Sequence, residues 1–298
     1  MIAYFLLVHR FPAQFKRMFR AIHDPANVYA VHVDKRAGKA LREDIAEFLA
    51  PFPNVELIAS KAAAWGGYSL VDAELRGMKA LLAMSQRWTH FINLSGQDFP
   101  LKSQGYIRDF LAANPGRQFI RTLDQRTVRP ETLDRITLRF IEAFGRVFRT
   151  RLPRRFLEGA TPYIGTQWKA VTRAFCAFAV HAPEARRFKQ FYARSFIADE
   201  GFFQTLVMNT PGHGEVVNDD LRTVDWIPHN IVNLKPRVFG TADALRLTLS
   251  PDFFARKFDA SKDSRILDLL EAHLRTPQAT CYAPELHDHG MREIAAAA

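Results

Sequence analysis

Continuous apolar runs alternate with amphipathic stretches along the first hundred residues. A run of apolar residues without polar interruption is typical of a strand buried on both faces of a sheet, whereas apolar residues three and four apart indicate a helix. The runs predict strands at 3–8 and 28–33, shorter segments predict strands at 55–58 and 89–94, and the helical spacing predicts helices at 12–22, 41–49 and 69–84, with Ser69 as the N-cap of the last. Strands that alternate with helices predict an α/β fold with a mostly parallel sheet flanked by helices.

The second half of the chain has a less regular pattern. We predict a basic helix at 130–148, helices at 172–180, 183–195 and 199–209, a strand at 221–227 and a last helix ending at 274. No linker composition separates the two halves. The sequence therefore predicts one domain at 1–275, made of a nucleotide-binding part (1–115) and an acceptor and catalytic part (116–275), followed by a tail at 276–298.

Composition excludes several classes of protein. The chain has 298 residues, of which 48% are hydrophobic, and only two cysteines, so we exclude disorder, coiled coils and disulfide scaffolds. No apolar run approaches the ~20 residues of a membrane helix, and the apolar start at 2–8 is too short for a signal peptide. We therefore expect a soluble protein in the reducing cytoplasm.

The charge is strongly positive and unevenly placed. The formal net charge is +10, and residues 117–155 contain eleven arginines against four acidic residues. A positive balance of this kind favours an anionic partner such as nucleic acid, nucleotide, phosphate or a membrane surface. The arginine-rich segment fits either a solvated helical face or a contact surface for an anionic lipid or polymer.

Familiar phosphate and metal motifs are absent from the sequence. It contains no P-loop, no G-x-G-x-x-G, no H-E-x-x-H, no G-x-S-x-G and no D-x-D pair. If the protein handles a nucleotide diphosphate, cationic side chains must therefore bind it, as Arg and Lys can. Arg256 and Lys257, adjacent in an aromatic segment, are the candidates; exposed pairing with neighbouring aspartates explains them equally well. Arg237 is a further cationic candidate.

Other candidates lie where the predicted strands and turns end. Ligands of parallel sheets bind at the carboxyl ends of the strands. This rule selects His9-Arg10, Asp34-Lys35 and the segment 95–98 with Asp98. It also selects the Trp65-Gly66-Gly67 turn, whose glycines either admit a planar ligand or simply form a turn.

Two further segments carry chemistry. Glu200 either caps a helix with Asp199 or, in its apolar setting, serves as a general base. Gln167 and Trp168 suit a sugar ring, although a buried tryptophan is the commoner case. His287-Asp288-His289 could bind a metal, but its polar surroundings argue against this.

These segments, taken in order, resemble the core-2/I-branching N-acetylglucosaminyltransferase and peptide O-xylosyltransferase family, glycosyltransferase family 14. The resemblance covers residues 1 to about 270 and is carried by YFLLVH (4–9), RMFRAI (17–22), VHVDKR (31–36), WGGYSL (65–70), FINLSGQDFP (91–100), GTQW (165–168), DEGFF (199–203), LRTVDW (221–226) and FFARKFD (253–259). The motif sequences are more similar to those of the xylosyltransferase branch.

The resemblance implies a GT-A-like fold and an inverting, metal-independent transfer from a UDP-sugar. It implies that Glu200 is the catalytic base, that Arg256 and Lys257 bind the diphosphate, and that Asp34 and the 65–67 turn hold the uridine. Trp168 and Trp226 would lie near the acceptor, and we assign His9 and Arg237 to donor binding and Gln167 and Asp98 to substrate binding. Gln167 stands where xylosyltransferases often carry an acidic residue, which leaves recognition at that position open.

We therefore predict a transferase that moves xylose or N-acetylglucosamine from UDP to a glycan or peptide hydroxyl. It would need no metal or other cofactor. The alternatives are a non-catalytic UDP- or glycan-binding relative, and a nucleic-acid or anionic-surface binder acting through 117–155. We expect no nucleic acid partner, and a peripheral contact with the inner face of an anionic membrane is compatible with the basic segment.

Overall fold

A central seven-stranded sheet organises the computed structural model, which describes residues 1–228 and 234–278. The strands, in chain order, are β1 (Ile2–Val8), β2 (Val28–Val33), β3 (Val55–Leu57), β4 (His90–Ser95), β5 (Asp98–Pro100), β6 (Gln118–Ile120), β7 (Leu123–Asp124), β8 (Leu138–Ala143), β9 (Arg146–Pro153), β10 (Tyr163–Ile164), β11 (Lys169–Thr172), β12 (Val216–Val217), β13 (Arg222–Val224), β14 (Trp226–Pro228), β15 (Leu234–Pro236) and β16 (Phe254–Arg256). The helices are α1 (Pro12–Ile22), α2 (Lys39–Leu49), α3 (Tyr68–Met84), α4 (Gln104–Ala113), α5 (Asp134–Thr137), α6 (Arg173–His181), α7 (Ala185–Tyr192), α8 (Phe202–Asn209), α9 (Ala244–Leu249) and α10 (Arg265–Leu274).

The central sheet has the strand order β12-β6-β11-β4-β1-β2-β3. Strand β1 lies between β2 and β4 and is parallel to both. Strand β11 runs antiparallel to its neighbours β4 and β6, and β12 is parallel to β6. Six of the seven strands thus share one direction, which confirms the predicted mostly parallel α/β architecture.

The continuous apolar run of β1 is explained by its position at the middle of this sheet. All seven of its residues are buried, and they alternate between two cores. Tyr4 and Leu6 face the core beneath α1, whereas Phe5 and Leu7 face the core beneath α3 and α6. Because both faces are covered by helices, neither set of side chains needs to be polar.

A second, three-stranded sheet has the order β13-β16-β5. Strand β16 pairs antiparallel with β5, which places Arg256 opposite Asp98. Strand β13 pairs in parallel with β16. The segment that follows β4 is thereby joined to a segment more than 150 residues later, and this pairing brings the end of β4 and the predicted cationic residues together.

The predicted basic helix at 130–148 is wrong. After the short helix α5, the chain forms an antiparallel hairpin of β8 and β9, which we call the basic hairpin (138–153). Its tip residues, Phe144 and Gly145, both have positive φ (51° and 72°), as a two-residue type I′ turn requires. The spacing of the apolar residues at 140, 141, 144, 147 and 148 fits a helix, but the turn at Gly145 decides in favour of strands.

Smaller differences concern element boundaries. The predicted strand at 221–227 is divided into β13 and β14, helix α3 begins at Tyr68 rather than after a Ser69 cap, and the short strands β6 and β11 were not predicted. The central sheet takes strands from both predicted parts of the chain, 1–115 and 116–275. His287-Asp288-His289 and most of the predicted tail lie outside the described residues. Among the helices described here, none combines the length and apolar character that crossing a bilayer demands.

Candidate active site

Four segments meet at one edge of the central sheet. His9, Asp34 and the Gly96 turn follow the carboxyl ends of β1, β2 and β4, and the backbone N–H groups of Asp34 and Gly96 donate to Val8 O and Leu7 O at 2.8 and 2.9 Å. Since β11 is reversed, the residues that precede it, 165–168, reach this same edge. The sequence rule that ligands bind at this edge therefore selects a continuous surface of the molecule.

Asp98 is fully buried beneath this edge and holds two arginines. Its Oδ1 accepts from Arg256 Nη1 at 3.0 Å, and its Oδ2 accepts from the Ser95 N–H at 2.6 Å and lies 3.4 Å from Arg222 Nη1. Arg256 Nη1 also donates to Ser95 Oγ at 2.6 Å. The structure thus places Asp98 as an internal counter-ion that positions Arg256, and not on the accessible surface where substrate binding was predicted.

Trp168 is buried between the same two arginines. The guanidinium carbons of Arg222 and Arg256 lie 4.6 and 4.7 Å from the centre of the indole ring. Cation–π attraction and apolar contact therefore hold both side chains against the indole. Only 4% of Trp168 is exposed, so in this structure it supports Arg256 rather than presenting a face to an acceptor sugar.

Arg10, Arg256 and Lys257 form a cationic cluster. Arg10 donates two hydrogen bonds to Gln97 Oε1 at 2.7 and 3.1 Å, and Gln97 Nε2 in turn donates to Phe258 O at 3.3 Å, next to Lys257. The Lys257 ammonium has no hydrogen-bond or ion-pair partner among the described residues. Desolvation, followed by the charges of Arg256 and Arg10, lowers the pKa of Lys257 to about 8. A bound anion would relieve this repulsion.

His9 lies against the cationic cluster. Desolvation of the ring, followed by the charges of Arg10, Arg256 and Lys257, lowers the pKa of His9 to about 4. The imidazole is therefore neutral near pH 7 and does not add to the positive charge. It can donate or accept a hydrogen bond at the end of β1.

Arg237 is fully engaged within the protein. Its guanidinium lies 2.7 Å from Asp225 Oδ2 and 2.6 Å from Asp243 Oδ1. Arg246 shares Asp225 at 2.6 Å. The charge that predicted a donor-binding role is thus neutralised by two carboxylates. Trp226, beside Asp225, is 44% exposed on β14.

Asp34 caps a short turn at the end of β2. Its carboxylate accepts from the Arg36 backbone N–H at 2.8 Å and from Arg36 Nη2 at 3.0 Å. Burial opposes ionisation, but the hydrogen bonds from Arg36 outweigh it and lower the pKa of Asp34. Arg36 also donates to Gly145 O at 3.1 Å, so the Asp34 turn is tied to the tip of the basic hairpin.

The glycines of the Trp65-Gly66-Gly67 turn are required by the protein's own packing. A Cβ on Gly66, whose φ is +74°, would lie 2.6 Å from the Phe196 ring. A Cβ on Gly67 would lie 2.4 Å from the Glu142 carboxylate, which accepts from the Ser69 N–H at 3.0 Å and caps α3. Trp65 itself is 74% exposed, with its ring edge against Phe196, and is available to stack on a planar ligand.

Glu200 ends a tight turn (Ala198–Glu200) that we call the carboxylate turn. The turn begins at Ile197, which has a left-handed backbone (φ 47°) and whose N–H donates to Gly66 O at 2.7 Å. Glu200 Oε2 lies 2.9 Å from Arg135 Nη1, and 28% of the side chain is exposed. Burial raises the pKa of Glu200 despite the opposing charge of Arg135. A partly exposed carboxylate of raised pKa suits a general base.

Asp199, the neighbour of Glu200 in the carboxylate turn, is buried. Its Oδ1 has no hydrogen-bond partner among the described residues. Burial, followed by the charge of Glu200, raises the pKa of Asp199 to about 7. The positive charge of Lys169 opposes this shift, but Lys169 is itself paired with Glu74 at 2.7 Å in the core.

The segment 165–168 joins the carboxylate turn to the cationic cluster. The Gly165 N–H donates to Glu200 O at 2.8 Å, and Trp168 at the other end contacts Arg256. Four residues span at most about 14 Å even when fully extended. Gln167 lies between them, and its carbonyl accepts from Asn93 Nδ2 and Lys169 Nζ at 2.9 and 2.7 Å. One four-residue segment thus contacts the backbone of Glu200 at one end and the side chain of Arg256 at the other.

Several residues of this site were not assigned a role from the sequence. They are Arg10, Arg135, Glu142 and Arg222. The strand-end rule pointed to Arg10 without giving it a role, and the others reach the site through pairing and packing that no local pattern records. Within the described part of the chain, no three His, Cys, Asp or Glu side chains cluster closely enough to hold a metal ion.

The fold is an α/β fold whose sheet edge carries a cluster of positive side chains, an arrangement that suits an anionic ligand. The comparison with protein families is more specific. The family model described as Core-2/I-Branching enzyme matches residues 2–245, and the chain belongs to this family. The resemblance drawn from the sequence motifs is therefore confirmed.

Curated relatives agree with the xylosyltransferase branch. The chain is 30% identical to xylosyltransferase 2 of Mus musculus over 96% of its length, and 30% identical to xylosyltransferase of Ciona intestinalis over 92%. These alignments cover 36% and 34% of the relatives, so the chain spans about a third of their length. The crystal structure of mouse xyloside xylosyltransferase 1 aligns with a TM-score of 0.34 at 13% identity, over 71% of this chain and 83% of that one, too remote to add to this assignment.

Proposed function

We propose that the protein is an inverting glycosyltransferase that moves a sugar from a UDP-sugar to an acceptor hydroxyl. Glu200 takes the proton of the hydroxyl as its oxygen attacks the anomeric carbon. The bond from that carbon to the diphosphate oxygen breaks, and its electron pair leaves with UDP. Attack and departure on opposite faces invert the configuration, by the same stereochemical logic as single displacement in glycosidases.

The observation that carries this proposal is the arrangement of the cationic cluster and Glu200 at the two ends of one four-residue segment. The guanidinium of Arg256 is fixed by Asp98, Ser95 and Trp168, so little reorganisation is needed when charge develops on the leaving diphosphate. The unpartnered ammonium of Lys257 supplies a second positive charge. We propose that these cations act in place of a divalent metal.

The donor-binding region extends from this cluster along the sheet edge. In the proposal, Trp65 stacks on the uracil and Asp34 faces the nucleoside, while His9 binds as a neutral hydrogen-bonding group. The names of the relatives favour xylose as the donor sugar, with N-acetylglucosamine as the second candidate because residues 91–100 resemble both branches. The acceptor is a glycan or peptide hydroxyl.

A donor panel tests the proposal. Thermal shift with UDP, UDP-xylose, UDP-N-acetylglucosamine and UDP-glucose should raise the melting temperature for UDP and for one sugar donor above the rest. Release of UDP from that donor should continue in EDTA. Absence of stabilisation by every uridine nucleotide would overturn the proposal, and a strict requirement for Mn²⁺ would overturn its metal-independent form.

A non-catalytic UDP-binding relative is the second candidate. It shares the cationic cluster, and the ion pair between Glu200 and Arg135 is the observation in its favour, because an arginine at 2.9 Å occupies one oxygen of the carboxylate. Such a protein would be stabilised by UDP but would release no UDP from any donor. The same donor panel therefore separates the two.

A further inference from the structure

The basic hairpin exposes a concentration of apolar side chains that is unusual for a surface. Phe144 at its tip is 98% exposed, and Ile141, Phe148 and Leu152 are 51%, 47% and 61% exposed. Ile141 and Phe148 face each other directly across the two strands. Contiguous exposed apolar groups mark surfaces that contact another body.

Exposed arginines surround these apolar groups. Arg139, Arg146 and Arg151 all lie on the hairpin, and none has an ion-pair partner among the described residues. Arg149, which pairs with Asp134 at 3.3 Å, is the exception on these strands. The outer surface of the hairpin thus combines unpaired positive charge with apolar side chains.

The opposite face of the hairpin is anchored to the protein. Phe140 is buried and stacks on Phe196 at 5.2 Å, Glu142 caps α3, and the Phe140 N–H donates to Arg194 O at 3.0 Å. A two-stranded hairpin is marginally stable alone, so these contacts keep it in place. The exposure of Phe144, Ile141 and Phe148 is therefore a property of the fold and not of a detached strand pair.

We propose that the basic hairpin docks on the surface of an anionic lipid bilayer. An aromatic tip that enters the headgroup region, flanked by arginines that meet lipid phosphates, matches both components of this surface. A soluble polyanion would explain the arginines but gives Phe144 nothing apolar to contact. Arg36 and Glu142 link the hairpin to the Asp34 turn and to α3, so docking would place the candidate active site beside the membrane.

Vesicle sedimentation tests this proposal without any sugar donor. The full chain should bind vesicles of phosphatidylcholine with 30–40% phosphatidylglycerol and should not bind phosphatidylcholine alone. Each cation near such a surface contributes roughly fivefold in affinity, about 1 kcal/mol. The triple variant R139E/R146E/R151E should therefore bind at least a hundredfold more weakly.

Matched variants distinguish the contribution of the hairpin surface to vesicle binding from the contributions of net charge and of exposed apolar residues elsewhere. R42E/R87E/R265E changes three exposed arginines elsewhere and alters the net charge equally, and L249S removes an exposed leucine (74%) of α9. Both should bind anionic vesicles nearly as the parent does. F144S should lose several-fold in affinity, most clearly in 0.5 M salt, where apolar insertion is the main remaining contribution.

Insertion of the tip has its own readout. In the variant F144W, emission from the new indole should shift to the blue and be quenched by brominated lipid in anionic vesicles. Three results would overturn the proposal. The first is no binding to vesicles, and the second is an equal loss of affinity in the two triple variants. The third is vesicle binding that F144S leaves unchanged and that a soluble polyanion abolishes completely by competition. Because no outcome depends on UDP, a failure here leaves the proposed transferase reaction standing, and the converse holds.

Discussion

The two ends of the candidate site carry opposite charge and are built in different ways. The cationic end rests on strand pairing: Arg256 is opposite Asp98 in the register of β16 and β5, and a buried indole supports it. The acidic end rests on a single tight turn, which starts at a left-handed isoleucine and is held by the backbone of Gly66 and Gly165. The pairing of β16 with β5 fixes the position of Arg256, whereas the position of Glu200 depends on a few hydrogen bonds of its turn.

A pair of buried aspartates shows the same contrast. The carboxylate of Asp98 has donors on both oxygens and compensates two guanidinium groups. Asp199 has one oxygen without a partner and a neighbouring carboxylate instead of a cation. Burial next to positive charge makes a stable counter-ion, while burial next to negative charge makes a group that resists ionisation. The predictions below test this difference.

The largest effect is expected at the acidic end. Glu200→Gln keeps the size of the side chain but cannot accept a proton, so transfer should fall by about 10²–10⁴ while UDP affinity stays unchanged. Single-turnover assays and titration calorimetry with UDP give both quantities. Transfer at the parental rate would exclude Glu200 as the base.

At the cationic end, the largest effect should be on stability. Asp98→Asn leaves Arg222 and Arg256 without their shared buried charge, so the free energy of unfolding should fall by about 3–5 kcal/mol. Asp268→Asn, which disturbs an ion pair with Arg17 at an exposed carboxylate, should change it by less than about 1 kcal/mol. Urea unfolding of both variants makes the comparison, and equal losses would contradict the role given to Asp98.

Lys257 should matter for binding rather than for folding. Lys257→Ala removes a charged contact to the diphosphate, so UDP should bind about 10–100-fold more weakly, with transfer lowered as well. Lys262→Ala, an exposed lysine five residues later, is the matched control and should leave both unchanged. A UDP affinity that is the same in both variants would place the diphosphate elsewhere.

The smallest effect is expected from Asp199→Asn and appears in pH profiles. The pKa of Asp199 is raised to about 7 in the folded protein, above its unfolded value, so the native state retains its proton and stability is lost as the pH rises from about 4 through 7. Asparagine stays neutral, and the loss over that range should diminish. Urea unfolding at several pH values across this range measures the change. A pH dependence of the unfolding free energy that the variant leaves unchanged would show that the pKa of Asp199 is not raised.

Much of the fold could be predicted because the first hundred residues follow simple rules. Strands β1, β2 and β4 are buried on both faces, so their sequences are mostly apolar, and the helices between them have clear spacing. The edge at which these strands end then selects His9 and Asp34 without further information.

The second half resisted prediction for physical reasons. The apolar residues of the basic hairpin have the spacing of a helix. The tip residues Phe144 and Gly145, which both have positive φ, make the segment a hairpin instead. Strand β11 is four residues long and begins with a buried lysine whose partner, Glu74, lies in α3. The sequence motifs selected Trp168, but its buried place between two arginines follows from tertiary pairing that local sequence does not encode.

Because Trp168 stacks on two guanidinium groups, its fluorescence should report ligand binding at the cationic cluster. A guanidinium close to an indole perturbs its excited state, so any anion that draws Arg256 from the ring will alter the emission of this residue. Trp65 is exposed, so under the proposed mode of donor binding it should respond to the base rather than to the phosphates. One fluorescence titration, repeated in a variant lacking either indole, would therefore follow the arrival of the two halves of a nucleotide separately.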